Sequence, residues 1–167
     1  MKLLTLLSLF ALAAVARAET TLTMTGVHNC CKSCANGITK AGTSVGSDIE
    51  VVAEGTTVTI TTKKKSDAKK AVDAIIAAGY FGKVEGAESA APSSSKPEAT
   101  MAKATVSGVH LCCKKCVTAA EDAVKSVAGV TKYEIVSKAE SFTVEGEFTK
   151  SALAAALNSA GFAGDIK

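Results

Sequence analysis

Residues 20–25, TTLTMT, set Leu22 and Met24 on one side of the chain and Thr21, Thr23 and Thr25 on the other, the period of a half-buried strand. Further on, Ile38, Ala41 and Val45 recur at helical spacing. They predict a helix that starts at or just after Cys34, weakened by Gly37 and Gly42. Residues 49–54, IEVVAE, alternate again with Ile49, Val51 and Ala53 inward. Glu54-Gly55 makes a turn, and TTVTITT returns with Val58 and Ile60 inward. Ser66 is a suitable N-cap for a second helix, with Ala71, Val72, Ile75 and Ile76 as its buried stripe and Gly79 at its end. YFGKVE, residues 80–85, is the last short strand. The pattern then repeats: strand 103–108, helix 116–128, strands 130–137 and 140–146, helix 150–160, strand 162–166. Each copy has the order βαββαβ. A sheet with both helices on one face is the ferredoxin-like sandwich, so the expected class is α+β, with two such sandwiches in one chain.

The repeat has a constant offset. His28 and His110 are 82 apart, and the same step carries Cys30, Cys31 and Cys34 onto Cys112, Cys113 and Cys116. It also carries Val45 onto Val127, Gly79 onto Gly161, Tyr80 onto Phe162, Gly82 onto Gly164 and Val84 onto Ile166, with no gap. Between the copies, residues 86–100, GAESAAPSSSKPEAT, hold both prolines of the chain, Pro92 and Pro97, and have no apolar period. They read as a flexible linker. The first 18 residues read as a secretory signal peptide: Lys2, an apolar run from Leu3 to Val15, then Ala16-Arg17-Ala18 before the cut. The run is short of the roughly 20 residues a spanning helix needs. The expected organisation is therefore a signal peptide (1–18), a first domain (19–85), a linker (86–101) and a second domain (102–167). The location this implies is the periplasm or the cell exterior.

Cleavage removes Lys2 and Arg17, which leaves 17 basic residues against 16 acidic ones. The apparent basicity of the whole chain thus argues for nothing, and a nucleic-acid partner is not expected. The longest basic run, Lys63-Lys64-Lys65, reads as a solvated strand end.

Both histidines and all six cysteines lie in two strings, GVHNCCKSC (26–34) and GVHLCCKKC (108–116). In the form H-x-C-C-x-x-C, a persisting strand geometry points His28 and Cys30 to one side, because side chains alternate. Cys31 and Cys34 are three apart, which lets both sulfurs face one point at the start of a helix, where the positive helix end favours thiolate. Thiolate-rich sites suit Cu(I) and Zn(II). Three cysteines and a histidine are a recognised tetrahedral zinc set, while two thiolates alone suit Cu(I) in a more open site. Structural disulfides are disfavoured, because bridges within one string would close loops of only a few residues and constrain little. Ala35 and Val117 follow the pairs, which excludes the C-x-x-C-H haem attachment string.

A strand ending in glycine, then a C-x-x-C pair opening a helix, in a βαββαβ unit of this length, resembles the heavy-metal-associated domain. That family includes copper chaperones, the amino-terminal modules of copper-transporting ATPases and the periplasmic mercury-binding protein. VSGVHLCCKKC is close to the family's strand-and-loop signature, and AAGYFGKV and NSAGFAGDI resemble its last helix and strand. The resemblance implies that Cys31 and Cys34, and Cys113 and Cys116, bind a soft metal at an exposed loop, and that Tyr80 and Phe162 stand beside it. The family usually has Gly-Met-x-Cys-x-x-Cys. Here Val27 and Val109 follow the glycine, and the loop is longer by two residues if Cys31 is the first ligand, or by one if Cys30 is. Cys30, Cys112, His28 and His110 are extra candidate ligands.

The function expected is that of a non-catalytic, exported metal-binding protein with about one Cu(I) or Zn(II) ion per domain, copper before zinc. It would buffer the ion, sequester it or hand it to a metal-exchanging protein. The tether would let two units engage one partner or share one ion. No stable membrane anchor is expected. The alternative is a periplasmic thiol–disulfide redox protein that uses the C-x-x-C pairs. Neither unit contains a proline, whereas thioredoxin-type enzymes have one opposite the motif.

Overall fold

The computed structural model describes residues 19–85 and 98–167. The expected signal peptide and most of the expected linker lie outside the described residues. The first unit runs β1 (Thr20–Thr25), α1 (Lys32–Thr43), β2 (Ile49–Glu54), β3 (Thr57–Thr62), α2 (Lys65–Ala77) and β4 (Lys83–Val84). The second runs β5 (Thr100–Ser107), α3 (Lys114–Lys125), β6 (Val130–Glu134), β7 (Ser141–Thr149), α4 (Lys150–Ser159) and β8 (Asp165–Ile166). The sheets have matching orders, β2-β3-β1-β4 and β6-β7-β5-β8, and all their pairings are antiparallel. This is the expected double βαββαβ architecture.

Register follows from the alternation. Leu22 and Val51 both sit opposite Ile60, and Met24 and Ala53 opposite Val58, so the apolar residues of three strands share one sheet face. Ile38 from α1 and Ala68, Ala71 and Ile75 from α2 close over that face, all fully buried. The second unit repeats this with Val106 and Val144 on the sheet and Ala120, Val124, Leu153 and Leu157 from its helices. No helix among the described residues is long and apolar enough to cross a membrane.

Element ends differ from the expected ones in informative ways. α1 starts at Lys32, two residues before Cys34, because Cys31 is still extended (φ −161°, ψ 167°) and takes the N-cap position; Cys113 does the same for α3. The buried stripe of α1 is Cys34, Ile38 and Gly42, and Ala41 and Val45 are only half-buried. Gly42 is there for space: a Cβ would come within 2.8 Å of Val51 Cγ2. α2 is capped at Lys64, not Ser66, and Ile76 lies at the edge of its stripe where Ala68 is fully buried. β5 begins at Thr100, ahead of the expected 103, since Thr100 and Met101 pair with Thr149 and Phe148 on a β7 that runs past 146. β6 ends early, at Glu134. The chain then forms a loop in which the Lys138 N–H donates to Leu111 O at 2.6 Å, bracing the second motif.

The two units meet through equivalent surfaces. The Phe81 N–H donates to Gly161 O at 2.9 Å, and the Ala163 N–H donates to Gly79 O at 3.0 Å. These bonds exchange under the offset of 82, so the contact is an internal two-fold of the isologous kind. Tyr80 and Phe162 form the backbone bridge at its centre. Gly79 (φ 91°) and Gly161 (φ 83°) end their helices in the left-handed region, but they do more. A Cβ on Gly161 would lie 2.6 Å from Gly26 O, and one on Gly79 would lie 2.5 Å from the His110 nitrogen. Each glycine lets one unit's backbone lie directly on the other unit's motif loop.

Candidate metal centre

Each motif begins where a strand stops. Gly26 (φ 79°) and Gly108 (φ 77°) turn the chain out of β1 and β5 through a left-handed conformation that suits glycine. The next residues, Val27 and Val109, drop into the core and anchor the loop. The strand does not persist to His28, so the alternation expected from it does not operate. His28 and Cys30 converge nonetheless, together with Cys116 of the other unit.

The decisive feature is that both loops point at each other. Cys34 and Cys116 are buried and the other four cysteines half-buried; all six are free thiols. Across the units, Cys30 Sγ lies 3.8 Å from Cys113 Sγ and 3.7 Å from Cys116 Sγ; Cys31 lies 3.8 Å from Cys112; Cys34 lies 3.6 Å from Cys112 and 3.8 Å from Cys116. Within the units, Cys34 is 3.8 Å from Cys30 and 3.7 Å from Cys31, and Cys116 is 3.6 Å from Cys112 and 3.8 Å from Cys113. Cys30–Cys31–Cys113, Cys31–Cys34–Cys112 and Cys112–Cys113–Cys116 each gather within 4.8 Å. The thiols that the sequence assigns to two loops therefore form one cluster.

The aromatic residues close the sides. His28 stacks on Phe162 with ring centroids 4.4 Å apart, and His110 stacks on Tyr80 at 4.6 Å. Tyr80 and Phe162 thus cover the histidine of the opposite unit. The Nε2 atoms of both histidines and the Tyr80 hydroxyl are buried without a hydrogen-bond partner. Such groups are costly to leave unpaired.

The thiols are electrostatically unequal. Burial pushes Cys30 and Cys112 up to about 12 and raises Cys116 further. Cys113 is held down to about 6, chiefly by the backbone N–H of Cys116, and the N–H of Cys34 lowers Cys31 in the same way. Neither sulfur makes a tight side-chain cap, but both sit where the open N–H groups of a helix start favour an anion. Burial also lowers both imidazoles, with the charge of His110 adding to the effect on His28, so they are neutral and ligand-competent at pH 7. This chemistry, soft thiolates with neutral imidazoles in a half-buried pocket, fits a soft metal ion.

Residues 104–163 match the model of the heavy-metal-associated domain. The second unit is a heavy-metal-associated domain. Such domains bind soft metal ions, and in this one the second half of β5, the motif loop after Gly108 and both helices fall within the matched span. Among solved structures, the N-terminal soluble domains of Bacillus subtilis CopA are similar over 90% of this chain and 95% of that one, at 17% identity and a TM-score of 0.34. The first two RRM domains of the yeast poly(U)-binding protein Pub1 are similar over 89% of this chain and 98% of that one, at 12% identity and a TM-score of 0.25. Neither likeness bears on the chemistry of the site. Among curated proteins, none matches this chain.

Seven of the residues singled out in the sequence gather here, His28, Cys30, Cys31, Cys34, Cys112, Cys113 and Cys116, while His110 joins none of these ligand sets and is held by its stack on Tyr80. The sequence reading missed that Gly79, Gly161, Tyr80 and Phe162 belong to the junction. Their shared offset was visible, but a backbone-to-backbone contact leaves no mark in polarity or period.

Proposed function

We propose that both units are heavy-metal-associated domains, and that the chain is an exported, non-catalytic protein that binds Cu(I), with Zn(II) as the lesser cargo, and buffers or sequesters it. The observation that carries this reading is the convergence of six unbridged thiols, with sulfurs 3.6 to 3.8 Å apart across the two units. Three of the four gathered ligand triads draw on both units, two of them made of thiols alone, which favours three-coordinate thiolate sites over a closed Cys3His set within one loop. Cu(I) accepts such sites readily, whereas structural zinc takes four ligands. Burial of Cys34 and Cys116 favours retention over fast hand-over, because an incoming partner thiolate reaches the ion only if the units part.

The test is an anaerobic competition between the reduced protein and a chromophoric Cu(I) chelator, run on the wild type and on Cys34→Ser/Cys116→Ser. The reading expects the wild type to strip copper from the chelator and the variant to lose at least tenfold in affinity. Equal affinities would refute it. A redox reading keeps one specific support: Cys113, low at about 6, pairs with the raised and buried Cys116, the asymmetry of a nucleophilic and a resolving thiol. Insulin reduction at a rate above that of free dithiol would favour it.

A further inference from the structure

We propose that the two motifs build one shared polynuclear site, a tetracopper(I)–hexathiolate cluster, in place of one ion per unit. This rests on the copper-binding reading above and deepens it.

Each sulfur has four others around it, at 3.6 to 3.8 Å or within 4.8 Å, and one opposite; the opposite pairs are Cys30 and Cys112, Cys31 and Cys116, Cys34 and Cys113. Six points joined in this way are the corners of an octahedron. An octahedron has eight triangular faces, and four alternate ones share corners but no edges. One such set is Cys30–Cys31–Cys113, Cys31–Cys34–Cys112, Cys30–Cys34–Cys116 and Cys112–Cys113–Cys116. The internal two-fold carries this set onto the other four faces, so the two are equivalent. With one Cu(I) on each face of a set, every copper has three sulfurs and every sulfur bridges two coppers.

The size agrees. For the Cys31–Cys34–Cys112 face, with edges of 3.6 to 3.8 Å, the centre lies about 2.1 Å from each sulfur, against about 2.3 Å for a zinc–thiolate bond. This face therefore needs only slight expansion to take a soft ion of this size. Zinc fits poorly, because four-coordinate ions cannot each complete a tetrahedron on triangular faces that share corners.

The charge is also provided for. Four Cu(I) ions displace the protons of six thiols, each copper–sulfur bond forms from a thiolate pair, and no electron is transferred. The product carries two net negative charges. α1 and α3 both begin at the cluster with no acidic residue in the first turn; Lys32 opens one, and Lys114 and Lys115 open the other. Lysine at a helix start is unfavourable for a bare helix and favourable for one that begins on an anion. The unpartnered Nε2 atoms of His28 and His110 supply neutral polar groups at its flanks.

The experiment is an anaerobic Cu(I) titration of the reduced full-length chain, followed by native mass spectrometry and copper-edge X-ray absorption. The proposal expects monomers with four coppers to appear from the first additions, with two-copper species scarcely populated, and copper–copper scattering alongside three sulfurs per copper. Two coppers bound in succession with no copper neighbour would overturn the shared cluster and leave the copper-binding function standing. No bound copper would overturn both. Cys30→Ser/Cys112→Ser keeps both C-x-x-C pairs, so one ion per unit expects its stoichiometry unchanged, whereas a cluster expects at least a twofold loss. Circular dichroism checks that this variant folds; should it not, scattering from the wild type decides.

Discussion

Gly37 and Tyr80 make a coupled pair whose counterpart is already written in the second unit. A Cβ on Gly37 would overlap the Tyr80 hydroxyl oxygen and lie 3.3 Å from Cζ. Under the offset of 82, the second unit has Ala119 and Phe162 at these positions: a methyl where the ring lacks a hydroxyl. In Gly37→Ala, helix propensity gains about 1 kcal/mol. The overlap costs about 1 to 3 kcal/mol, so the single variant is neutral to destabilised. Tyr80→Phe removes a buried hydroxyl without a partner, worth about 1 to 3 kcal/mol. In Gly37→Ala/Tyr80→Phe the overlap is gone and both gains remain, so the interaction energy of the cycle is about 1 to 3 kcal/mol. Urea unfolding of the four metal-free, reduced proteins measures it. If Gly37→Ala has the same effect whether position 80 carries the native tyrosine or the Tyr80→Phe substitution, the packing argument is wrong.

Other expectations concern the thiols and the junction. At pH 7, limited iodoacetamide should label Cys113, near 6, first, Cys30 and Cys112, near 12, later, and the buried Cys116, raised further, last; peptide mapping reads the order. The metal-free protein should be most stable near pH 9. Cys30, Cys112 and Cys116 are raised, so their contribution is full below the unfolded value of 9.0 and is lost as pH climbs towards 12. Cys113 is lowered, so its contribution is full above 9.0 and is lost as pH falls towards 6; thermal melts from pH 6 to 11 trace the dome. Phe162→Ala should cost about 3 to 5 kcal/mol and unstack His28, seen as a change in the His28 imidazole titration by NMR. Amino-terminal sequencing of the exported protein should begin at Glu19.

Much of the fold was legible because each unit is built on plain alternation. Leu22 and Met24 against Ile60 and Val58 declare both the strands and their register. Helix starts were less legible: Cys31 and Cys113 take the N-cap through extended backbone alone, with no capping residue to read, and Ser66 is passed over for Lys64. The candidate ligands were legible by concentration, since every thiol and imidazole lies in two strings. That the strings face each other was not. Gly79 reads as an ordinary helix end, and the tether allows a shared ion without showing how the units would meet. The contact is made by backbone groups that any residue carries.

The central claim is that these thiols hold a soft metal. Its most direct test is native mass spectrometry of the exported protein purified without chelator, with metal analysis and a thiol count on the same sample. The account predicts copper on the intact chain, with the cysteines shielded from alkylation until the metal is removed. A metal-free mass lighter by two protons per disulfide, and no copper uptake after reduction, would contradict it.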